Sequence, residues 1–430
     1  MQNRKKGPSP LHSLQRANTR VARDYPGESG ARQPIHSVYG GAHLFTPDIA
    51  RKLGERALAT LDEHAPTPAV LAKVLGFEQE GDAAFAATIR DRVVAKLQRE
   101  PVEDYRIDFE DGYGNRPDSE EDGHARTVAE AVAAGHAAGT LPPFIGIRIK
   151  PLSRELHTRS LRTLEIFVTT LVRAIGASLP ENFVVTIPKL MAVQHVAVVS
   201  ALCATLERRL KLRRNTLQLE LMIETPQSIL AADGTTPLRA LVAAGGGRVR
   251  GAHFGTYDYT ALCGITASWQ HMRHPACDFA RNMMQVALAQ SGVFLSDGAT
   301  NVLPIPPDVH RAWKVHYDDI RHSLRSGFYQ GWDLHPAQLP TRYAAVYAFF
   351  LSARPAATVR LRNFVDKAAQ ATLVGDVFDD AATGQGLLNF FVRGLSSGAL
   401  TMAEAAETGL TAEELQGRSF VRILDARKPR

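Results

Sequence analysis

Eight short runs rich in β-branched and aromatic residues, separated by longer segments of helical pattern, most narrow the folds open to this chain. The runs are Ser37–Phe45, Tyr105–Glu110, Phe144–Lys150, Phe183–Lys189, Leu217–Glu224, Val249–Gly255, Val293–Ser296 and Gln330–His335. Between them lie Glu120–Ala138, Ser153–Ala177, Ala192–Arg213, Gln227–Ala244, Cys277–Gln290 and Val309–Ser326, rich in Ala, Leu and Arg. Strand and helix in alternation build βα units around a parallel sheet. Eight such strands within roughly 300 residues predict an α/β fold of the (β/α)8 TIM-barrel type. A doubly wound open sheet is the runner-up, but no GxGxxG follows a first strand. The interval 46–103 must hold more than one helix.

The barrel is expected over residues 36–342, with a flank on either side. Residues 1–35 read as a disordered, basic leader, because residues 1–23 hold six basic side chains and no acidic one. The chain has 50 basic and 44 acidic residues, so without those six the body is formally neutral. The basic excess is therefore local and points to no nucleic-acid-binding domain. Residues 343–430 read as a C-terminal helical extension, either a cap on the barrel or an arm that forms a homo-oligomer. Asn363–Gly375 and Leu387–Leu395 carry the amphipathic spacing this requires. No apolar run approaches the roughly 18 residues of a membrane span. The basic start has no apolar h-region behind it. The three cysteines (Cys203, Cys263, Cys277) lack CxxC spacing, so no disulfide scaffold or thiolate zinc site is expected. A cytoplasmic protein with no membrane partner is the expectation.

In such a barrel the chemistry lies at the C-terminal ends of the strands. Alternation along Tyr105–Gly112 sends Ile107 and Phe109 outward and Asp108 and Glu110 inward. Along Phe144–Lys150, Ile145, Ile147 and Ile149 face out, while Arg148 and Lys150 face in. Along Leu217–Glu224, Leu219, Leu221 and Ile223 share one face; Glu220, Met222 and Glu224 share the other. Val249–Asp258 ends in a glycine turn followed by Asp258. Charge inside a barrel is costly unless paired or bound to something. The bland explanation is a structural ion-pair network; the sharper one is a binding site. Glu224 and Asp258, at the ends of neighbouring strands, suit a hard cation such as Mg2+, which takes one or two carboxylates and completes its shell with water and substrate oxygens. Arg148 suits a substrate carboxylate or a developing enolate.

Other designs find less support. There is no HExxH, no Cys/His cluster and no Walker sequence. His271 and His274 fit a helix start better than a metal site, and Gly245–Arg248 fits a turn into the next strand. Lys189, after Pro188 at a strand end, is a weak Schiff-base candidate.

Taken in order, Asp108-Phe109-Glu110-Asp111-Gly112, Gly146-Ile147-Arg148-Ile149, Ile187-Pro188-Lys189, Met222-Ile223-Glu224-Thr225 and Phe254-Gly255-Thr256-Tyr257-Asp258 resemble the HpcH/HpaI aldolase and citrate lyase β-subunit-like superfamily. Gly331–Gln338 resembles its closing Gly…His-Pro-x-Gln segment. The resemblance spans roughly residues 36–345. It implies a (β/α)8 enzyme that makes or cleaves carbon–carbon bonds in small 2-oxo or hydroxy acids, or their CoA thioesters, with Mg2+ or Mn2+. It implies metal binding by Glu224 and Asp258 and a substrate contact by Arg148. Asp108 and Glu110 would orient water or act in proton transfer, and Asp333 and His335 would contact substrate. Met222 stands where the aldolase branch commonly has glutamine, and no CoA-binding element is recognisable. The leading expectation is a metal-dependent carbon–carbon lyase. The alternatives are an acyl-CoA lyase of the malyl- or citramalyl-CoA type and a non-catalytic barrel used as a binding scaffold.

Overall fold

The computed structural model describes residues 10–366, 372–374, 377–379 and 381–427. Helix α1 (Pro10–Asp24) precedes β1 (His36–Gly41), and α2 (Ile49–His64), α3 (Pro68–Leu75) and α4 (Ala83–Arg99) fill the interval before β2 (Asp104–Asp108). There follow α5 (Asp118–Ala138), β3 (Phe144–Arg148), α6 (His157–Ile175), β4 (Phe183–Ile187), α7 (Val193–Arg209) and β5 (Gln218–Ile223). The second half continues with α8 (Pro226–Ile229), α9 (Leu238–Ala244), β6 (Val249–Phe254), α10 (Thr256–Leu262), α11 (Pro275–Leu288), β7 (Phe294–Ala299), α12 (Val309–Arg325), β8 (Gln330–Asp333) and α13 (Leu339–Asp366). Strands β1 to β8 pair in chain order, all parallel, and β8 closes on β1. The expected TIM barrel is present with its eight strands, each within a few residues of its expected place.

Period-two alternation sets the layers. Ile145, Ile147, Leu219, Leu221 and Ile223 point out into the main core beneath the helices. The inward positions are polar and form an ion-pair layer across the barrel. Arg106 reaches Asp104 and Glu220 at 2.7 Å each, and Ser37 Oγ donates to Asp104 Oδ2 at 2.5 Å. Gly146 makes this layer possible. A Cβ there would lie 2.7 Å from Arg106 Nη1 and 2.2 Å from the Val184 carbonyl oxygen. The bland explanation thus holds for Glu220, whose carboxylate serves the fold.

The C-terminal extension is largely helical, as expected, while the leader and the boundary differ. Over residues 10–24 the leader is helical, because its Leu, Arg, Gln and Ala content favours a helix once charge is set aside; its side chains from Leu11 to Asp24 are exposed. The stretch behind it is docked on the body. The Gly27 N–H donates to the Gln290 carbonyl (3.0 Å), Arg239 lies over the Tyr25 ring, and Glu28 pairs with Arg393. The boundary expected at 342/343 falls inside α13, whose buried Tyr343 and Tyr347 pack toward the barrel. The later segment includes an antiparallel pair, β9 (Thr372–Val374) with β10 (Val377–Asp379), besides α14 (Ala381–Ser396), α15 (Met402–Ala406), α16 (Ala412–Gly417) and α17 (Phe420–Arg427). No helix among the described residues is long and apolar enough to cross a membrane.

Candidate active site

The C-terminal strand ends surround a pocket of about 410 Å3, lined among others by Tyr39, Asp108, Arg148, Glu224, Asp258 and Trp332. Asp108 and Arg148 are register partners on β2 and β3, and their side chains meet there. Arg148 Nε donates to Asp108 Oδ1 (2.7 Å) and Nη2 to Oδ2 (2.6 Å), while Nη1 lies 2.9 Å from Glu110 Oε2. The Asp108 carboxylate also accepts the backbone N–H groups of Glu110 (2.9 Å) and Gly112 (2.7 Å). Every lone-pair direction of Asp108 is thereby engaged, so it orients the Arg148 fork and is not free to move a proton. Lys150 departs from the expected arrangement. Its ammonium donates to the carbonyls of Phe109 (2.8 Å) and Gly114 (3.1 Å) and so ties down the loop after β2.

Lys189 is the residue the sequence reading undervalued. Its backbone is left-handed (φ 48°), a conformation that costs a non-glycine residue about 1 kcal/mol or more and clusters at functional sites. That turn aims its N–H at Glu224 Oε1 (2.7 Å), while its ammonium contacts Glu110, Asp111 (3.3 Å) and Asp258 (3.5 Å). Burial opposes the ammonium charge, but Glu110, Glu224 and Asp111 outweigh it and raise the lysine pKa above its ordinary value. A Schiff-base lysine needs the opposite shift, so that reading is set aside. The signal was present in Ile187-Pro188-Lys189, a cation at a strand end next to the one that carries Glu224.

The carboxyls around this cation are perturbed. Burial, with Asp111 nearby, pushes Glu110 up to about 7, against the pull of Arg148 and Lys189. Burial, then Glu110 and Asp258, push Glu224 up to about 8. Glu224 fits its place only because residue 255 is glycine; a Cβ there would lie 2.5 Å from Glu224 Oε2. Asp258, in the first turn of α10, stands partly exposed at the pocket edge. Among the described residues no group of three or more His, Cys, Asp or Glu side chains is arranged as a metal cluster. Two carboxylates are nonetheless enough for Mg2+ when water and substrate supply the other oxygens.

One wall is aromatic, and the sequence reading did not assemble it. Tyr39 and Trp332 stack with centroids 4.6 Å apart, Arg148 lies 5.0 Å over the Tyr39 ring, and the Tyr39 hydroxyl points at Met222 Sδ (3.8 Å). These groups come from β1, β3, β5 and β8, which only barrel closure brings together.

Two expected substrate contacts lie elsewhere. Asp333 is fully buried and saturated by His36 Nδ1 (2.8 Å), His316 Nε2 (3.0 Å) and Arg342 Nη2 (3.0 Å). Burial opposes its ionisation, yet Arg342 and the two histidines hold its pKa well below the ordinary value. His335 caps the short turn at Pro336–Gln338, its Nδ1 accepting the Ala337 N–H (3.2 Å) while the Gln338 amide oxygen accepts the His335 N–H. Neither lines the pocket. His274 is likewise a helix cap, on α11.

A family model described as a domain of unknown function, DUF6986, matches residues 14–423. No curated protein matches the sequence. Among solved structures, a citrate lyase from Burkholderia xenovorans LB400 is 20% identical, covering 75% of this chain and 92% of that one, with a TM-score of 0.56. A malate synthase from Haloferax volcanii is 13% identical over 90% of this chain and 96% of that one, with a TM-score of 0.47, too loose an overlap to bear on the chemistry. The motif resemblance is met by the citrate lyase at the level of fold, while the family that matches is DUF6986.

Proposed function

The chain belongs to the DUF6986 family, and from that premise we propose that it is a metal-dependent carbon–carbon lyase acting on a small 2-oxo or hydroxy acid. The observation that carries this reading is a guanidinium pinned by two carboxyls beside a second acid pair on the same rim, Arg148 against Glu224 and Asp258. The all-oxygen donor set fits Mg2+ or Mn2+, with Glu224 and Asp258 as the residues that would hold it. Such an ion supplies Lewis acidity toward the carboxylate and keto oxygens of a chelating substrate.

The remaining work falls to the chain's own groups. Arg148, oriented by Asp108, binds the substrate carboxylate and offers positive charge where an enolate develops. The Tyr39–Trp332 wall excludes water from one side of the pocket and strengthens that attraction. Glu110, with a carboxyl pushed up to about 7 and its Oε2 held 2.9 Å from Arg148 Nη1, is the proposed acceptor of the hydroxyl proton. Lys189 holds Glu110 and Glu224 in place and keeps the acid cluster from repelling itself apart.

Incubating the protein with Mg2+ and a panel of 2-oxo and 3-hydroxy acids, with and without CoA, tests this. Pyruvate, oxaloacetate or glyoxylate should appear from one member and vanish on adding EDTA. Turnover that survives EDTA, or none across the panel, would refute it.

A further inference from the structure

At the foot of the barrel, away from the rim, the first residues of β4 to β7 border a cleft of about 580 Å3. Its charged lining is one-sided, with Arg213, Arg214 and Arg250 against Glu181. Arg213 and Arg214 are exposed and close a run, 208–214, in which five of seven residues are basic. Arg209 of that run pairs with Glu165 (2.7 Å). Among the described residues no carboxylate lies within ion-pair distance of Arg213, Arg214 or Arg250.

Arg250 differs from the other two because it is partly buried. Its guanidinium carbon lies 5.0 Å from the Phe144 ring centre and 6.0 Å from that of Phe294, where the rings take up space that water would fill. Its side-chain hydrogen bond goes to Asn182 Oδ1 at 3.3 Å. Burial lowers its pKa from the ordinary guanidinium value, and Glu220 and Asp104 oppose this only through space. A half-buried cation without an adjacent anion is unfavourable, and an anion entering the cleft would relieve it.

We infer that this foot cleft binds a small phosphate-bearing polyanion. Guanidinium forks match phosphate oxygens in pairs, and the cleft lies within the roughly 300–1,000 Å3 of small-molecule sites. The body of the chain is formally neutral, so the cluster is not an overflow of general basicity. The site is separate from the rim: β5 runs from Gln218 at the foot to Ile223 beside Glu224, a span of about 17 Å at the usual rise per residue.

Inorganic pyrophosphate is the probe, titrated calorimetrically into the full chain at near-physiological salt. Saturable binding, one per chain, is expected. Arg250→Gln should weaken it at least tenfold, and so should the double variant Arg213→Ala, Arg214→Ala, which alters only exposed side chains and leaves folding intact. Arg148→Lys, at the rim, should bind pyrophosphate as the wild type does. No saturable binding, unchanged affinity in the foot variants, or loss of binding in Arg148→Lys would overturn the inference. Binding confined to long polyanions such as heparin would overturn it too, since it would make the run a nonspecific surface.

Discussion

Replacing Glu224 with Gln should make the metal-free protein more stable, although the residue sits at the centre of the proposed site. In the folded chain its carboxyl is raised from an ordinary 4.5 to about 8, by burial first and then by Glu110 and Asp258. Between those values the folded state holds a proton that the unfolded state has released, so stability is full below pH 4.5 and falls as pH rises. Each pH unit costs the folded state about 1.4 kcal/mol, giving about 3 kcal/mol by pH 7 and at most about 5 above pH 8. Gln does not titrate, and its amide oxygen can still accept the Lys189 N–H that Glu224 Oε1 accepts at 2.7 Å. Urea unfolding in EDTA at pH 5, 6, 7 and 8 measures the difference. The two proteins should nearly converge at pH 5 and separate by about 3 kcal/mol at pH 7. Mg2+ at a hundred times its Kd should then stabilise the wild type alone, by about 2.7 kcal/mol. A gap that does not change with pH, or a variant less stable than wild type at pH 8, would refute the reasoning and return Glu224 to a structural role.

Other outcomes follow from the same geometry. Arg148→Lys keeps the charge but loses the fork held by Asp108, so steady-state turnover should fall about 10- to 100-fold; wild-type turnover would make Arg148 a structural ion. Asp333→Asn leaves Arg342 and two buried histidines without their anion and should cost about 3–5 kcal/mol in urea unfolding. It should leave KM unchanged, because Asp333 is outside the pocket; a raised KM would restore it as a substrate contact. Deleting residues 1–24 should hardly move the thermal midpoint, since the helix side chains are exposed. Deleting 1–31 should lower it by losing the Tyr25, Gly27 and Glu28 contacts. Equal effects of the two deletions would show that α1 docks as well.

The proton dependence of metal binding gives a further check on the rim. Because Glu224 holds its proton up to about pH 8 in the metal-free chain, Mg2+ must displace it, and the apparent Kd should fall about tenfold per pH unit between 6 and 8. Calorimetry in buffers of different ionisation enthalpy would detect the released proton. A Kd that is flat over that range would remove Glu224 from the ligand set.

Much of this protein was legible in the chain because the information is local. Alternation along each run decides which side chains share a face. It therefore placed Ile145, Ile147, Leu219 and Leu221 outward, and Arg148, Glu220 and Glu224 inward, without reference to any other strand. Glycine at 255 beside Asp258 was legible for the same reason. What a side chain does after it points inward depends on partners that only closure and register supply. Asp108 looked like a proton carrier at a strand end, but the β2–β3 register sets it opposite Arg148 and turns it into that residue's holder. Asp333 and His335 sat in a motif at the last strand end, yet His36 from β1, His316 from α12 and Arg342 from α13 converge on the first. The second only ends a turn. Lys189 shows the same division: its place at a strand end is sequence, while its raised pKa comes from Glu110 and Asp111 after β2 and from Glu224 after β5. Sequence determines the period and the face because sterics act between adjacent residues; the tertiary fold decides pairing, protonation and access, because those energies arise between residues far apart in the chain.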